Sequence, residues 1–218
     1  MSAERPQHPP RAGSESHTMP VTYTAYLKIE ELLSLQQPLS DGPEHDETLF
    51  IIIHQVYELW FKEMLHELDY LKALLSRHDT PRALATLKRV LTILKVAVAQ
   101  IDVLETMTPL EFLSFRARLE SGSGFQSFQF RELEFGLGLK TQAAVDRYPA
   151  GSAHRRRLER RMGEPTVWDA FLHFLAAAGH AVPRELLARD VTAPPLGSVT
   201  GRARALCGSP TGRGTPAG

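Results

Sequence analysis

The sequence contains one cysteine, Cys207, among its 218 residues. A single cysteine cannot close a disulfide within the chain, and zinc sites built from cysteine need several thiolates. The scarcity of cysteine therefore excludes a disulfide-stapled fold and a cysteine-built zinc site. It also indicates a reducing, cytoplasmic setting.

An excess of one charge is also absent, and so is any long apolar run. The 25 Lys and Arg residues balance the 25 Asp and Glu residues, so no net field favours nucleic acid or an anionic membrane. The longest apolar run, residues 49–53, is far shorter than the roughly 20 residues of a membrane-spanning helix. Residues 1–20 lack the apolar stretch of a secretory signal, and we expect them to be disordered. Neither a nucleic-acid nor a membrane partner is predicted.

What the chain does contain is helical periodicity, and no segment alternates as a strand would. Apolar residues recur every three or four positions along residues 46–75, with Asp46 as the predicted N-cap. Residues 81–105 follow a Thr80 cap and carry Pro81 in the first turn. We predict an all-α helical bundle in which these two long helices pack antiparallel. The predicted seam of the second helix is Leu84, Leu87, Leu91, Leu94, Val98 and Ile101.

Shorter helices are predicted on either side of this pair. Thr108-Pro109-Leu110-Glu111 is a capping box with proline at the first helical position. Residues 195–218 are rich in Gly, Pro and Arg without a period, so they form either a natural disordered tail or a terminus read out of frame. The predicted organisation is a tail over 1–20, a helical domain over 21–194 and an irregular tail over 195–218. The other predicted helices cover residues 24–35, 125–137, 152–162 and 167–178.

Two polar side chains on apolar helix faces are the candidates for chemistry. His54 follows Phe50 by four residues, so it is either a core histidine with an internal partner or a neutral imidazole that accepts a hydrogen bond from a ligand. Arg116 follows Phe112 by four residues. It is either a surface arginine paired with Glu120 or a planar clamp for a carboxylate. Spacing alone favours the core histidine and leaves the arginine open.

Two further patterns carry weaker signals. Residues 63–66 form a single E-x-x-H, whereas a di-iron bundle site needs two such motifs and two further glutamates. The basic run at residues 154–157, continued by Arg160 and Arg161, would suit phosphate. The balanced net charge favours a solvated helix face instead.

An ordered series of motifs resembles the N-terminal part of the tryptophan 2,3-dioxygenase family, over about residues 21–194. The series is YTAYL (23–27), QPLS (37–40), HDETLFIIIHQ (45–55), ELW (58–60), VLETMTP (103–109), SGFQS (123–127) and GHAVP (179–183). The resemblance implies a helical homotetramer that uses haem b to add both atoms of O2 to L-tryptophan. The implied product is N-formyl-L-kynurenine, in the first step of tryptophan catabolism.

The resemblance also implies roles for individual residues. By position, His54 accepts a hydrogen bond from the indole N–H and Arg116 holds the substrate carboxylate. Phe112 stands where some members have a tyrosine. The remaining implied site residues are Phe50 and Leu119 as indole-pocket walls, Tyr23, Tyr26 and Leu27 as an arm into a neighbouring subunit, and Ser123 and Gly124 beside the haem.

The family's later helices are expected to be missing from this sequence. Its proximal histidine and its Gly-Thr-Gly-Gly-Ser loop have no counterpart here, so no metal-ligating residue is assigned. Without an axial ligand a protein has little hold on haem iron. We therefore expect the chain as written to be inactive. The alternative class is a non-catalytic helical binding or oligomerisation module.

Overall fold

The computed structural model describes residues 22–40, 42, 44–119 and 126–193. Every regular element in these ranges is helical, which confirms the predicted all-α class. The chain forms two compact units, Met1–Gln37 and Pro38–Gly218. The predicted tails over 1–20 and 195–218 lie outside the described residues. The helices are α1 (Tyr23–Leu27), α2 (Ile29–Leu33), α3 (His45–Ser76), α4 (Thr80–Leu104), α5 (Pro109–Arg116), α6 (Phe128–Leu137), α7 (Gln142–Asp146), α8 (Ala153–Gly163), α9 (Val167–Ala177) and α10 (Arg184–Leu187), with a 3₁₀ turn at Ala117–Leu119.

In the first unit, the single helix predicted over 24–35 is in fact two short helices. The break is at Lys28, whose φ of +54° places it in the left-handed region. That conformation ends α1, because the chain direction changes there and the regular hydrogen-bond ladder stops. Thr22 caps α1 by accepting a hydrogen bond from the Ala25 N–H at 3.2 Å. Apolar residues keep their helical spacing across the break, so the sequence pattern gives no sign of the break.

In the second unit, α3 and α4 form the predicted antiparallel pair. Leu75 lies in one apolar cluster with Ala83 beside the connecting turn, and Leu65 lies in the next with Ile93. Further from the turn, the hydroxyl of Tyr57 donates a hydrogen bond to the Ala97 carbonyl oxygen at 2.8 Å. The contacts run in opposite order along the two helices, which confirms the antiparallel arrangement.

Both predicted caps of this pair are wrong by one or two residues. Glu44 precedes α3, and Asp46 lies inside its first turn. Asp79 is the N-cap of α4, accepting a hydrogen bond from the Arg82 N–H at 3.3 Å. Thr80 is already helical. At α4 the adjacent Asp79 and Thr80 both have cap-forming side chains, and the path of the preceding turn decides between them. Glu44 makes no side-chain hydrogen bond to the start of α3.

The predicted seam of α4 is also wrong. Its six residues are all exposed, from 38% at Leu94 to 66% at Val98. The face against α3 is the neighbouring stripe, which lies one position earlier along the sequence. Small residues on that stripe let the two helices approach closely. Its members are Ala83, Thr86, Val90, Ile93 and Ala97.

In the second unit, α6 and α9 also pack against α3, and α8 packs against α6. The guanidinium of Arg161 on α8 binds both carboxylate oxygens of Asp69 on α3, at 2.6 and 2.7 Å. It also forms an ion pair with the fully buried Glu132 on α6. Arg161 is only 12% exposed, so the predicted solvated face of α8 is wrong at this position. The arginine joins three helices.

A buried lysine binds backbone carbonyls at the C-terminal end of α8. Lys140 is 2% exposed, and its ammonium donates to the backbone carbonyls of Met162, Glu164 and Val191. Burial lowers the pKa of Lys140 from its ordinary value. The three carbonyls satisfy its three donors and bring the α10 segment back onto α8. No helix in the described ranges is long and apolar enough to span a membrane.

The buried stripe on α4 can be tested by truncation. Ile93→Ala should lower the free energy of unfolding by about 2–5 kcal/mol, because it removes buried methyl groups and leaves a cavity. Ile52→Ala is the matched control, since Ile52 is 43% exposed on α3 and should cost less than about 1 kcal/mol. Urea denaturation of both variants measures the difference. Equal losses would contradict the observed packing face.

Candidate functional site

The first turns of α3 present an aromatic ring and an imidazole side by side. The rings of Phe50 and His54 lie 4.1 Å apart, tilted by 39°. Nδ1 of His54 lies 2.7 Å from the backbone carbonyl oxygen of Phe50. A carbonyl oxygen only accepts, so in the neutral ring Nδ1 carries the proton and Nε2 keeps its lone pair. The imidazole therefore offers one acceptor nitrogen to a ligand.

Helix α5 brings two more aromatic rings to this point. The capping box fixes its start, because Thr108 and Glu111 each accept a hydrogen bond from the other's backbone N–H. The predicted box is thus confirmed. Phe112 and Phe115 then lie 5.9 and 5.5 Å from Phe50, measured between ring centroids. The result is an aromatic wall with His54 at one side.

Arg116 ends α5 beside this wall. Its guanidinium carbon lies 6.0 Å from the ring centroid of Phe112, and its side chain is half-buried. A cation in the last turn of a helix is favoured by the helix dipole. Leu119 is half-buried in the 3₁₀ turn that follows. Ring and guanidinium contacts thus join Phe50, His54, Phe112 and Arg116.

Other predicted site residues cannot be assigned to this cluster. Tyr23, Tyr26 and Leu27 belong to the first unit, where all three are exposed. Ser123 and Gly124 lie outside the described residues, and so does Glu120, the surface partner suggested for Arg116. The roles that the resemblance implies for them stay predictions.

Two residues near the cluster were missed by the sequence reasoning. Phe115 is fully buried and contacts both Phe50 and Phe112. It follows Phe112 by three residues, which is the signal that could have found it. Glu47 is 1% exposed on the first turn of α3. Burial raises its pKa, but hydrogen bonds from Ser40 and Leu39 outweigh this effect, so its pKa lies below the ordinary value.

Metal-binding capacity is limited in the described ranges. They contain no group of three His, Cys, Asp or Glu side chains that could hold a metal ion. Every described histidine except His54 is exposed, and His54 is half-buried. The cluster therefore offers aromatic faces, one acceptor nitrogen and one cation, which suits a flat ligand with an N–H donor and an anionic group.

Comparisons of this chain with a family model and with known proteins all point to one family. The family model for tryptophan 2,3-dioxygenase matches residues 6–183. A tryptophan 2,3-dioxygenase from Herpetosiphon aurantiacus is 61% identical over 172 residues, covering 79% of this chain and 66% of that protein. Another from Anaeromyxobacter sp. strain K is 53% identical over 168 residues, covering 77% and 63%. A third, from a Nocardioides species, is 52% identical over 166 residues, covering 74% and 62%.

These relatives are longer than the present sequence. The chain spans just under two thirds of the length of each of them. The matched part includes all the residues of the cluster on α3 and α5. The chain belongs to the tryptophan 2,3-dioxygenase family.

Proposed function

We propose that this chain binds and orients L-tryptophan for cleavage of the indole ring by O2, with N-formyl-L-kynurenine as the product. The observation that carries the proposal is the joining of His54 and Arg116 through the rings of Phe50 and Phe112. Family membership supplies the reaction. A cytoplasmic setting, suggested by the single cysteine, is part of the same proposal.

The indole ring, the indole N–H and the carboxylate of the amino acid each match a group of the cluster. The indole ring packs against the aromatic wall of Phe50 and Phe112, with Leu119 as a further wall. The indole N–H donates to Nε2 of His54, the nitrogen left without a proton by the contact with the Phe50 carbonyl. The carboxylate binds the guanidinium of Arg116, whose planar fork suits two parallel hydrogen bonds. A site of this kind rejects analogues that leave its polar groups unpaired.

The reaction also needs haem b, which would supply the binding and activation of O2. His54 has one acceptor nitrogen, Nε2, so it cannot both ligate the iron and accept the indole N–H. The other described histidines are exposed, so the described residues do not fit a histidine-ligated haem by themselves. The chemistry assigned to this chain is therefore recognition and orientation of the substrate.

If Arg116 binds the carboxylate, its removal should abolish the preference for L-tryptophan over an analogue without a carboxylate. Wild-type protein should bind L-tryptophan more tightly than tryptamine, which lacks the carboxylate. Arg116→Ala should bind the two alike, because the lost contact is worth about 2–5 kcal/mol when its partner group stays buried. Isothermal titration calorimetry measures both affinities. Arg82→Ala is the control, since Arg82 is 73% exposed on α4. A preference for L-tryptophan that survives in Arg116→Ala would contradict the role.

The haem requirement predicts the behaviour of residues 1–218 on their own. With haemin and a reductant, we expect no five-coordinate, histidine-ligated ferrous spectrum and no sustained formation of N-formylkynurenine. L-tryptophan binding without haem turnover is the result expected of the recognition role, and a helical module that keeps the aromatic–arginine pocket shares it. A module that serves oligomerisation alone would bind neither L-tryptophan nor haem. A five-coordinate histidine spectrum with turnover would contradict the expectation. His154, His173 and His180 would then be the first ligands to test by substitution.

We also propose that the protein is a homo-oligomer, as the resemblance implies with a tetramer. The exposed stripe of α4 supports this proposal. Six apolar residues at spacings of three and four run for 18 residues along one face of the helix, which is the pattern of a helix–helix interface. A contiguous exposed apolar surface of this kind marks an interaction site.

The oligomer proposal predicts that self-association depends on the exposed stripe of α4. Leu91→Ser should weaken self-association by about 1.5–3 kcal/mol for each leucine removed from the interface. Leu59→Ser is the matched control, because Leu59 and Leu91 are both 51% exposed. Sedimentation equilibrium measures the association constant of each protein. A monomeric wild type, or an equal effect of Leu59→Ser, would argue against the interface.

A further inference from the structure

Glu47 is a buried carboxylate on α3, the helix that carries Phe50 and His54. It is 1% exposed, although it lies in the first turn of α3. It precedes Phe50 by three residues and His54 by seven, so all three side chains share one face of the helix. The proposed recognition of L-tryptophan uses Phe50 and His54 and gives Glu47 no role.

The carboxylate of Glu47 accepts hydrogen bonds from two consecutive residues, Leu39 and Ser40. One oxygen accepts a hydrogen bond from the Leu39 backbone N–H at 2.6 Å. The other accepts from the Ser40 backbone N–H at 3.1 Å and from the Ser40 hydroxyl. Hydrogen bonds to a carboxylate are stronger than those between neutral groups. Leu39 and Ser40 follow Pro38, where the second compact unit begins.

A general effect of acidic residues at helix starts does not account for this arrangement. A carboxylate in the first turn interacts favourably with the helix dipole even when it stays in solvent. Asp46 already provides such a carboxylate. Burial of the Glu47 charge is costly unless donors replace the lost water. Three donors from Leu39 and Ser40 do so, which makes the contact specific to this segment.

We propose that Glu47 is a positioning residue that ties the entry of the second unit to the first turn of α3. Through this contact it holds the turn that presents Phe50 and His54. The meaning of the contact for ligand binding rests on the proposed function. The contact itself stands on the hydrogen bonds alone.

The test uses the full chain and the variant Glu47→Gln. The amide group of glutamine keeps one acceptor oxygen but turns a donor toward the Leu39–Ser40 donors. Amide hydrogen exchange followed by NMR should become at least about tenfold faster at Leu39, Ser40 and the first turn of α3, because charge-assisted hydrogen bonds are lost. Exchange in the C-terminal half of α3 and in α4 should stay unchanged. Glu63→Gln is the control, being the same substitution on the same helix.

A second measurement separates positioning from simple stabilisation. The ¹⁵N spectrum of the His54 ring should show the Nδ1–H form in wild type and a mixture of both neutral forms in Glu47→Gln. Uniformly faster exchange across the second unit, or an unchanged His54 spectrum, would overturn the proposal. If Glu47→Gln does not fold, Ser40→Ala removes one donor and should give the same changes at smaller amplitude, and no change in that variant would also overturn it.

Calorimetry with L-tryptophan then links the contact to recognition. Glu47→Gln should bind about tenfold more weakly than wild type, as expected when a positioned acceptor is loosened. Glu63→Gln should match wild type. Equal affinities of wild type and Glu47→Gln would remove the link to the ligand. If wild type itself does not bind L-tryptophan, the proposed function fails, while the exchange and ring spectra still decide the role of Glu47.

Discussion

The fold depends on the burial of α3, which is the one helix in the described part of the chain that packs against α4, α5, α6 and α9. Its apolar positions recur over most of its 32 residues, so it forms an axis around which the shorter helices assemble. Removing such a stripe from water is the dominant favourable contribution to folding. The N-terminal turns of the same helix carry Phe50 and His54. Structural support and the proposed ligand recognition are therefore combined in one element.

Contacts between charged side chains then connect several of the surrounding segments to one another and to this axis. Arg161 binds Asp69 and pairs with the buried Glu132, while Arg189 binds Asp169 through two nitrogens. Burial raises the pKa of Asp169, but the bonds from Arg189 and Thr166 outweigh it and lower the pKa overall. Buried charges of this kind are tolerated because each has a partner. They specify orientations that apolar packing alone would leave open.

In the candidate site, a buried side chain supports the residues that are assigned to ligand binding. Phe115 is fully buried and supports the rings of Phe50 and Phe112. The proton on Nδ1 of His54 is held by a backbone carbonyl of its own helix, so the acceptor nitrogen is set before a ligand arrives. Preorganised groups of this kind lose less freedom on binding than mobile ones. Helices, and not loops, position every residue of the described cluster.

The sequence by itself determined the helical class, the two long helices and the capping box before α5. These features depend on local spacing and on side chains that bond to nearby backbone. It also placed His54 with Phe50 and Arg116 with Phe112, because residues four apart share a helix face. Only the tertiary structure brought the two pairs together, since α3 and α5 are separated by the whole of α4.

The tertiary structure also decided which face of α4 is buried. Two neighbouring stripes have the same spacing, and the more apolar one, with Leu91 and Leu94, is exposed. The small residues Ala83 and Ala97 suit close approach to α3, which a hydrophobicity pattern does not register. The tertiary structure likewise decided that Glu47 and Lys140 are buried. Their burial follows from donors and acceptors supplied by distant or irregular segments, whose positions no local pattern encodes.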